Sequence, residues 1–142
     1  MNKSAKDVAN FLLSLIDTNV GDTVSNLKLQ KLLYYCQGYY LALYNKPLFE
    51  DKIFAWDYGP VVKTVYDEYK FYGSSAIVPV LNYSGNLTKC QKELVAKIYE
   101  QYGQFSAGKL VDMTHSESPW KSTKKNSEIT IEKLRMFFNE KI

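Results

Sequence analysis

Asn26-Leu27-Lys28-Leu29-Gln30-Lys31-Leu32-Leu33-Tyr34-Tyr35, with its continuation to Tyr44, decides the fold. Leu29, Leu32, Leu33, Cys36, Tyr40 and Leu43 recur at helical spacing and share one face of a helix over about 25–44. Leu27, Tyr34, Gly38 and Leu41 fall on the opposite side, beside Gln30 and Lys31. A surface helix has a polar back, and this one does not. A helix apolar on two sides is either enclosed between layers or covered by something outside the chain. Burial over most of its length, with one end exposed, makes it the centre of the fold.

The flanking elements are read from their start and stop signals. Ser4, with Asp7 three residues on, opens a first helix to Asp17 whose inward face is Val8, Phe11, Leu12, Leu15 and Ile16. After Pro47 ends the central helix, Ile53, Phe54, Trp56 and Tyr58 form an extended stretch. Gly59-Pro60 then reads as the start of a third helix, with proline in its first turn, Val62, Val65, Tyr66 and Tyr69 as its stripe and Gly73 as its stop. Residues 74–86 read as an irregular connector with at most one short strand pairing near Phe54. Thr88 with Gln91 caps a fourth helix, Ser106 a fifth and Thr130 the last, where Ile129 and Leu134 are placed as a hydrophobic staple. Lys121 to Ser127 is a polar loop. The expected fold is mainly α: one compact domain over 1–142, with about six helices around the central one.

Composition narrows the function. Of 18 basic residues all but Arg135 are lysine, and the net charge is only +3. Bidentate reading of guanine or phosphate is mainly arginine work, so nucleic acid is not an expected partner. Cys36 and Cys90 form no CxxC pair, which points to free, buried thiols and a cytoplasmic protein. Lys3 and Lys6 precede the apolar run Val8 to Ile16, but Asn10 and Ser14 interrupt it and no cleavage site follows, so it reads as a helix and not a signal peptide. No stretch is apolar for long enough to span a membrane.

Catalytic patterns are weak. His115 is the single histidine, and Asp112, Ser116 and Glu117 surround it. Triads are defined by geometry and usually draw on distant segments, so His115 reads as a hydrogen-bonding residue at a helix end. Cys36 could meet it in space, but its place on the leucine stripe predicts an inert thiol. Neither a metal-ligand spacing nor a phosphate-cradling glycine loop is present, and no cofactor is expected. Lys121, Lys124 and Lys125 read as a solvated loop. The 12 tyrosines, 7 phenylalanines and 2 tryptophans remain. They suit cores and protein interfaces equally well. Trp56 and Tyr58 therefore have two readings: architecture, with Trp56 wedged against the central helix, or one wall of a partner groove.

Three blocks in order carry a resemblance: the central helix, then Trp56-Asp57-Tyr58-Gly59-Pro60-Val61, then Thr114-His115-Ser116-Glu117-Ser118-Pro119-Trp120. Together with Pro47-Leu48-Phe49 they resemble the SocA-like antitoxin domain, also called the Panacea domain and found in phage-associated GepA proteins, over roughly Val8 to Phe138. The resemblance implies a protein-binding antidote that inactivates a toxin encoded beside it, not an enzyme. It places Lys31, Tyr34, Trp56, Tyr58, Thr114, His115 and Trp120 as partner-binding candidates, and Leu29, Leu32, Leu33, Gly59, Pro60, Val61 and Pro119 as structural motif. The few residues ahead of the first helix leave no room for a helix-turn-helix, so autorepression through an added module is not expected. Two other classes share these features: an adaptor presenting a bound client to an energy-dependent protease, and a small hydrolase built around His115.

Overall fold

Ser25 accepts a hydrogen bond from the Lys28 amide and opens helix α2, Asn26–Tyr44, in the computed structural model, which describes residues 4–142. Asn45 closes it in the left-handed conformation, its N–H returning to the Leu41 carbonyl. Around α2 lie α1 (Ala5–Ser14), the hairpin β1 (Ile53–Trp56) and β2 (Gly59–Val62), α3 (Lys63–Tyr69), α4 (Lys89–Tyr102), α5 (Ala107–His115), the single turn α6 (Ser118–Lys121), β3 (Glu128–Ile129) and α7 (Ile131–Asn139). The fold is mainly helical, with seven α-helices among the described residues and a small antiparallel sheet in the order β2-β1-β3. Lys3, which flanks the apolar run of α1, lies outside the described residues.

Helix α2 is buried for most of its length; Leu27, Tyr39 and Ala42 are half-buried, and Leu43 and Tyr44 are exposed at its end. Leu43, expected on the inner stripe, is 50% exposed because the helix outruns its neighbours there. A helix enclosed this way cannot leave its polar groups idle, and several of those on α2 bond to the backbone of another segment. Lys28 Nζ donates to the Gly103 carbonyl at 2.6 Å, Asn26 to the Tyr66 carbonyl at 3.2 Å, and Gln37 Nε2 to the Phe49 carbonyl at 2.8 Å. Gln37 also accepts from the Leu48 amide at 2.8 Å. Each such bond is worth about 0.5–1.5 kcal/mol net, but leaving one partner buried and unmade costs about 1–3 kcal/mol. Helix α7 packs closely on α2 at Gly38, where a Cβ would run into the Phe138 ring.

Several caps match expectation. Thr88 and Gln91 form a reciprocal capping box, Ser106 accepts from Lys109, and Thr130 accepts from Lys133, with Ile129 and Leu134 both buried. Ser4 caps α1, but Asp7 does not complete a box, since its carboxylate accepts from the Tyr83 hydroxyl and the Asn86 amide and ties down the 83–86 loop. The larger correction is at Gly59-Pro60, where the expected helix start is instead strand β2, and α3 begins only at Lys63. Proline is tolerated there because β2 is a sheet edge and its missing N–H would face away from β1. Phe54 pairs with Val61 and Glu128, not with the 74–86 connector, whose one bridge joins Ala76 to Ser25. Cys36 is buried as expected, but Cys90 is exposed in the first turn of α4.

Candidate functional site

The three sequence blocks meet at the β1–β2 hairpin: the second block is its turn, and the first and third hold that turn through side chains of α2, α5 and α6. From α2, Lys31 Nζ donates to the Pro60 carbonyl at 2.9 Å and Gln30 Oε1 accepts from the Val62 amide at 2.9 Å. From the end of α5, His115 Nε2 donates to the Asp57 carbonyl at 2.8 Å. From α6, Trp120 Nε1 donates to the Trp56 carbonyl at 2.8 Å, with its indole lying against the His115 ring at 4.2 Å. Four side chains thus hold four backbone groups between Trp56 and Val62. Gly59 sits inside this grip at φ 106°, and a Cβ there would meet Lys31 Cε at 2.7 Å and Thr114 Oγ1 at 2.8 Å. Only glycine fits both the dihedral and the space.

The candidates divide by exposure. Lys31, Tyr34 and Thr114, read from the sequence as partner-facing, have no solvent-exposed surface. Burial pushes the Lys31 amine down to about 7. Thr114 donates to the Val111 carbonyl. Tyr34 and its neighbour Tyr35 each donate to one oxygen of Glu117, both at 2.8 Å. Burial pushes the Glu117 carboxyl up, against the pull of the two hydroxyls. Leu29, Leu32, Leu33, Gly59, Pro60, Val61 and Pro119, the motif framework, are all buried. His115, Trp56 and Trp120 are partly buried. Tyr58 is 69% exposed and makes no hydrogen bond or ring contact among the described residues. The architectural reading of Tyr58 therefore fails. Trp56, expected to wedge against α2, turns edge-on to Tyr66 of α3 at 5.0 Å.

Trp56, Tyr58, Val61, Tyr66 and Leu27 wall an open groove of about 560 Å³ over Asn26 and Gln30. Gln30, Tyr35, Glu117, Leu27 and Tyr66 escaped sequence reasoning. Gln30 carried a usable signal, since a glutamine on a helix that is apolar on both sides must be bonded to something. The Tyr34–Glu117 and Tyr35–Glu117 contacts span 83 and 82 residues and leave no local trace.

A hydrolytic constellation does not assemble around His115. Its Nε2 is spent on Asp57, Ser116 Oγ donates to the Met113 carbonyl, and Glu117 serves the two tyrosines. Burial pushes the Cys36 thiol up, away from the reactive thiolate. Among the described residues no group of His, Cys, Asp and Glu could hold a metal ion, and no helix is long and apolar enough to cross a membrane. Of the basic loop, Lys125 pairs with Asp57 at 2.7 Å.

Fold and site together define a mainly helical protein whose three sequence blocks converge on one hairpin. The sequence pattern of the family described as Antitoxin SocA-like, Panacea domain matches residues 29–121, from within α2 to the end of α6, and the chain belongs to that family. It is 30% identical over 128 residues to Antitoxin SocA of Caulobacter vibrioides (strain NA1000 / CB15N), in an alignment covering 82% of this chain and 68% of the relative. No solved structure matches it.

Proposed function

We propose that this protein is the antidote of a toxin–antitoxin pair and neutralises its toxin by binding it directly, one complex per toxin, without turnover. Family membership supplies the antitoxin role. The observation that favours binding as the mechanism is Tyr58: a large aromatic side chain, exposed and without partner, on a turn held rigidly from behind. Rigid presentation lowers the entropy lost on association, and tyrosine and tryptophan are the residue types that most often carry interface energy.

The test is co-expression with the reading frame adjacent to this gene. Growth should be restored only when the antitoxin is made at least in proportion to the toxin, and the two proteins should co-purify in a fixed ratio. Rescue at antitoxin levels far below those of the toxin, with neither a complex nor toxin degradation, would replace binding with a catalytic mechanism.

A further inference from the structure

The groove beside the hairpin has chemistry enough to say what kind of segment enters it. Its lining is mostly aromatic and aliphatic, with Asn26, Gln30, Ser74 and Asn126 as the uncharged polar members. Its floor is polar by composition but not by offer: Gln30 Nε2 donates to Asn26 Oδ1 at 2.9 Å, Asn26 Nδ2 donates to the Tyr66 carbonyl, and Gln30 Oε1 is taken by Val62. With both amides turned inward to the fold, what the groove offers an occupant is apolar area and shape.

Strand addition is closed off. β2 is an edge of the sheet, the usual place for a partner strand to add. Here Pro60 has no N–H, its carbonyl is held by Lys31, and the Val62 N–H is held by Gln30. An incoming strand would find this edge already satisfied by side chains of α2. The occupant must enter side chain first.

The groove itself is lined by one acidic and one basic residue, Asp57 and Lys70, and the positive excess lies beside it, in Lys121, Lys124 and Lys125 of the adjoining loop. Asp57 is neutralised by Lys125 at 2.7 Å. Asp67 is shared by Lys63 at 2.7 Å and Lys70 at 3.6 Å, so Lys70, at the groove edge, holds only the weaker claim on that carboxylate. Lys121 and Lys125 flank the adjoining depression beneath Trp120, with Lys124 between them in the chain.

We propose that the groove receives a segment of the toxin that seats a bulky apolar side chain between Tyr58 and Trp56 and directs carboxylates toward Lys70 and the 121–125 loop. This rests on the toxin-binding function proposed above and adds to it the location and the chemistry recognised. The surface is built for an acidic, aromatic or leucine-bearing segment, and a basic one would be repelled by the adjoining loop.

The experiment titrates the purified product of the adjacent reading frame onto wild-type protein and three variants, Tyr58→Ala, Lys70→Glu and Leu81→Ala, at low and high salt. Leu81 is exposed and lies outside the groove, and thermal melts confirm that each variant is folded. Tyr58→Ala should raise Kd by about tenfold or more. Lys70→Glu should raise it less, by an increment that shrinks at high salt. Leu81→Ala should match wild type. Among short overlapping peptides of that product, those retained by wild type and lost on Tyr58→Ala should carry an apolar residue within an acidic stretch. Full affinity in both Tyr58→Ala and Lys70→Glu would overturn the groove while leaving toxin binding intact, whereas no binding by wild type would bring down both. Loss of a dimer on Tyr58→Ala, seen by light scattering without the toxin, would assign the groove to a second copy and also overturn the proposal.

Discussion

Two regions of this molecule are rich in aromatic residues and use them in opposite ways. Between α2, α4 and α7, Tyr34, Tyr35, Tyr39, Tyr102 and Phe138 form one continuous set of ring contacts, with Tyr35 stacked on Tyr102 at 4.0 Å. Every hydroxyl in that set is used: Tyr34 and Tyr35 bind Glu117, and Tyr39 and Tyr102 bind each other at 2.7 Å. At the hairpin the ring of Tyr58 is 69% exposed and makes no ring contact, while the backbone around it is fastened by Lys31, His115 and Trp120. The difference teaches that aromatic content alone says little about binding. What separates core from surface is whether the protein satisfies the polar tip and covers the ring.

The sharpest way to break this contrast is to truncate one tyrosine from each region. Tyr34→Ala removes a fully buried ring and strips Glu117 of one hydroxyl, and should cost about 3–5 kcal/mol in denaturant unfolding. Tyr58→Ala should stay within about 0.5 kcal/mol of wild type, as exposed substitutions do. Comparable losses in the two variants would erase the distinction.

Gly59→Ala probes the grip itself. The substitution must accept φ 106° and displace Lys31 or Thr114, so unfolding free energy should fall by about 1–3 kcal/mol. Wild-type stability in that variant would mean that the hairpin is not held against α2 and α5 as described.

Lys31 gives the same grip a pH signature. Its folded pKa is pushed down from 10.5 to about 7 by burial. Between those values the unfolded chain binds the proton and the folded chain does not, so stability rises as pH climbs from about 7 toward 10, by an amount on the order of a few kcal/mol. Lys28, also pushed down by burial, adds to the slope with the same sign. Above pH 10 the trend reverses, because Tyr34 and Tyr35 are pushed up by burial and by Glu117, and stability is lost as unfolded phenols ionise first. Lys31→Met should flatten most of the rise, read from urea midpoints across that window. An undiminished slope would relocate its source.

His115 is the smallest effect. His115→Gln keeps a donor for the Asp57 carbonyl and should be nearly silent, while His115→Ala should cost about 1 kcal/mol and weaken neutralisation slightly. Equal and complete loss of neutralisation in both, with folding intact, would instead give the imidazole a role as a proton carrier.

How much of this could be read from the chain depended on range. The central helix, its burial and the caps at Thr88, Ser106 and Thr130 are written in local pattern, and they stand. Gly59-Pro60 misled because proline at a helix start and proline on a sheet edge look alike in sequence. The choice between them was made by Gln30 and Lys31, about thirty residues away. The strand β3 has two residues and the helix α6 one turn, both too short for periodicity to register. The site was half legible: the blocks named the residues that converge, but not that Lys31, Tyr34 and Thr114 face inward, Trp56 is half-buried and Tyr58 is exposed.

The central claim is that buried polar side chains of α2 hold the hairpin in place, and native-state amide exchange at Val62 tests it most directly. Gln30→Met keeps the bulk of the side chain and removes the acceptor for that amide. The opening free energy at Val62 should then fall further than that at Ile98 in the core of α4, which reports global stability. Equal shifts at the two amides, or none at Val62, would contradict the account.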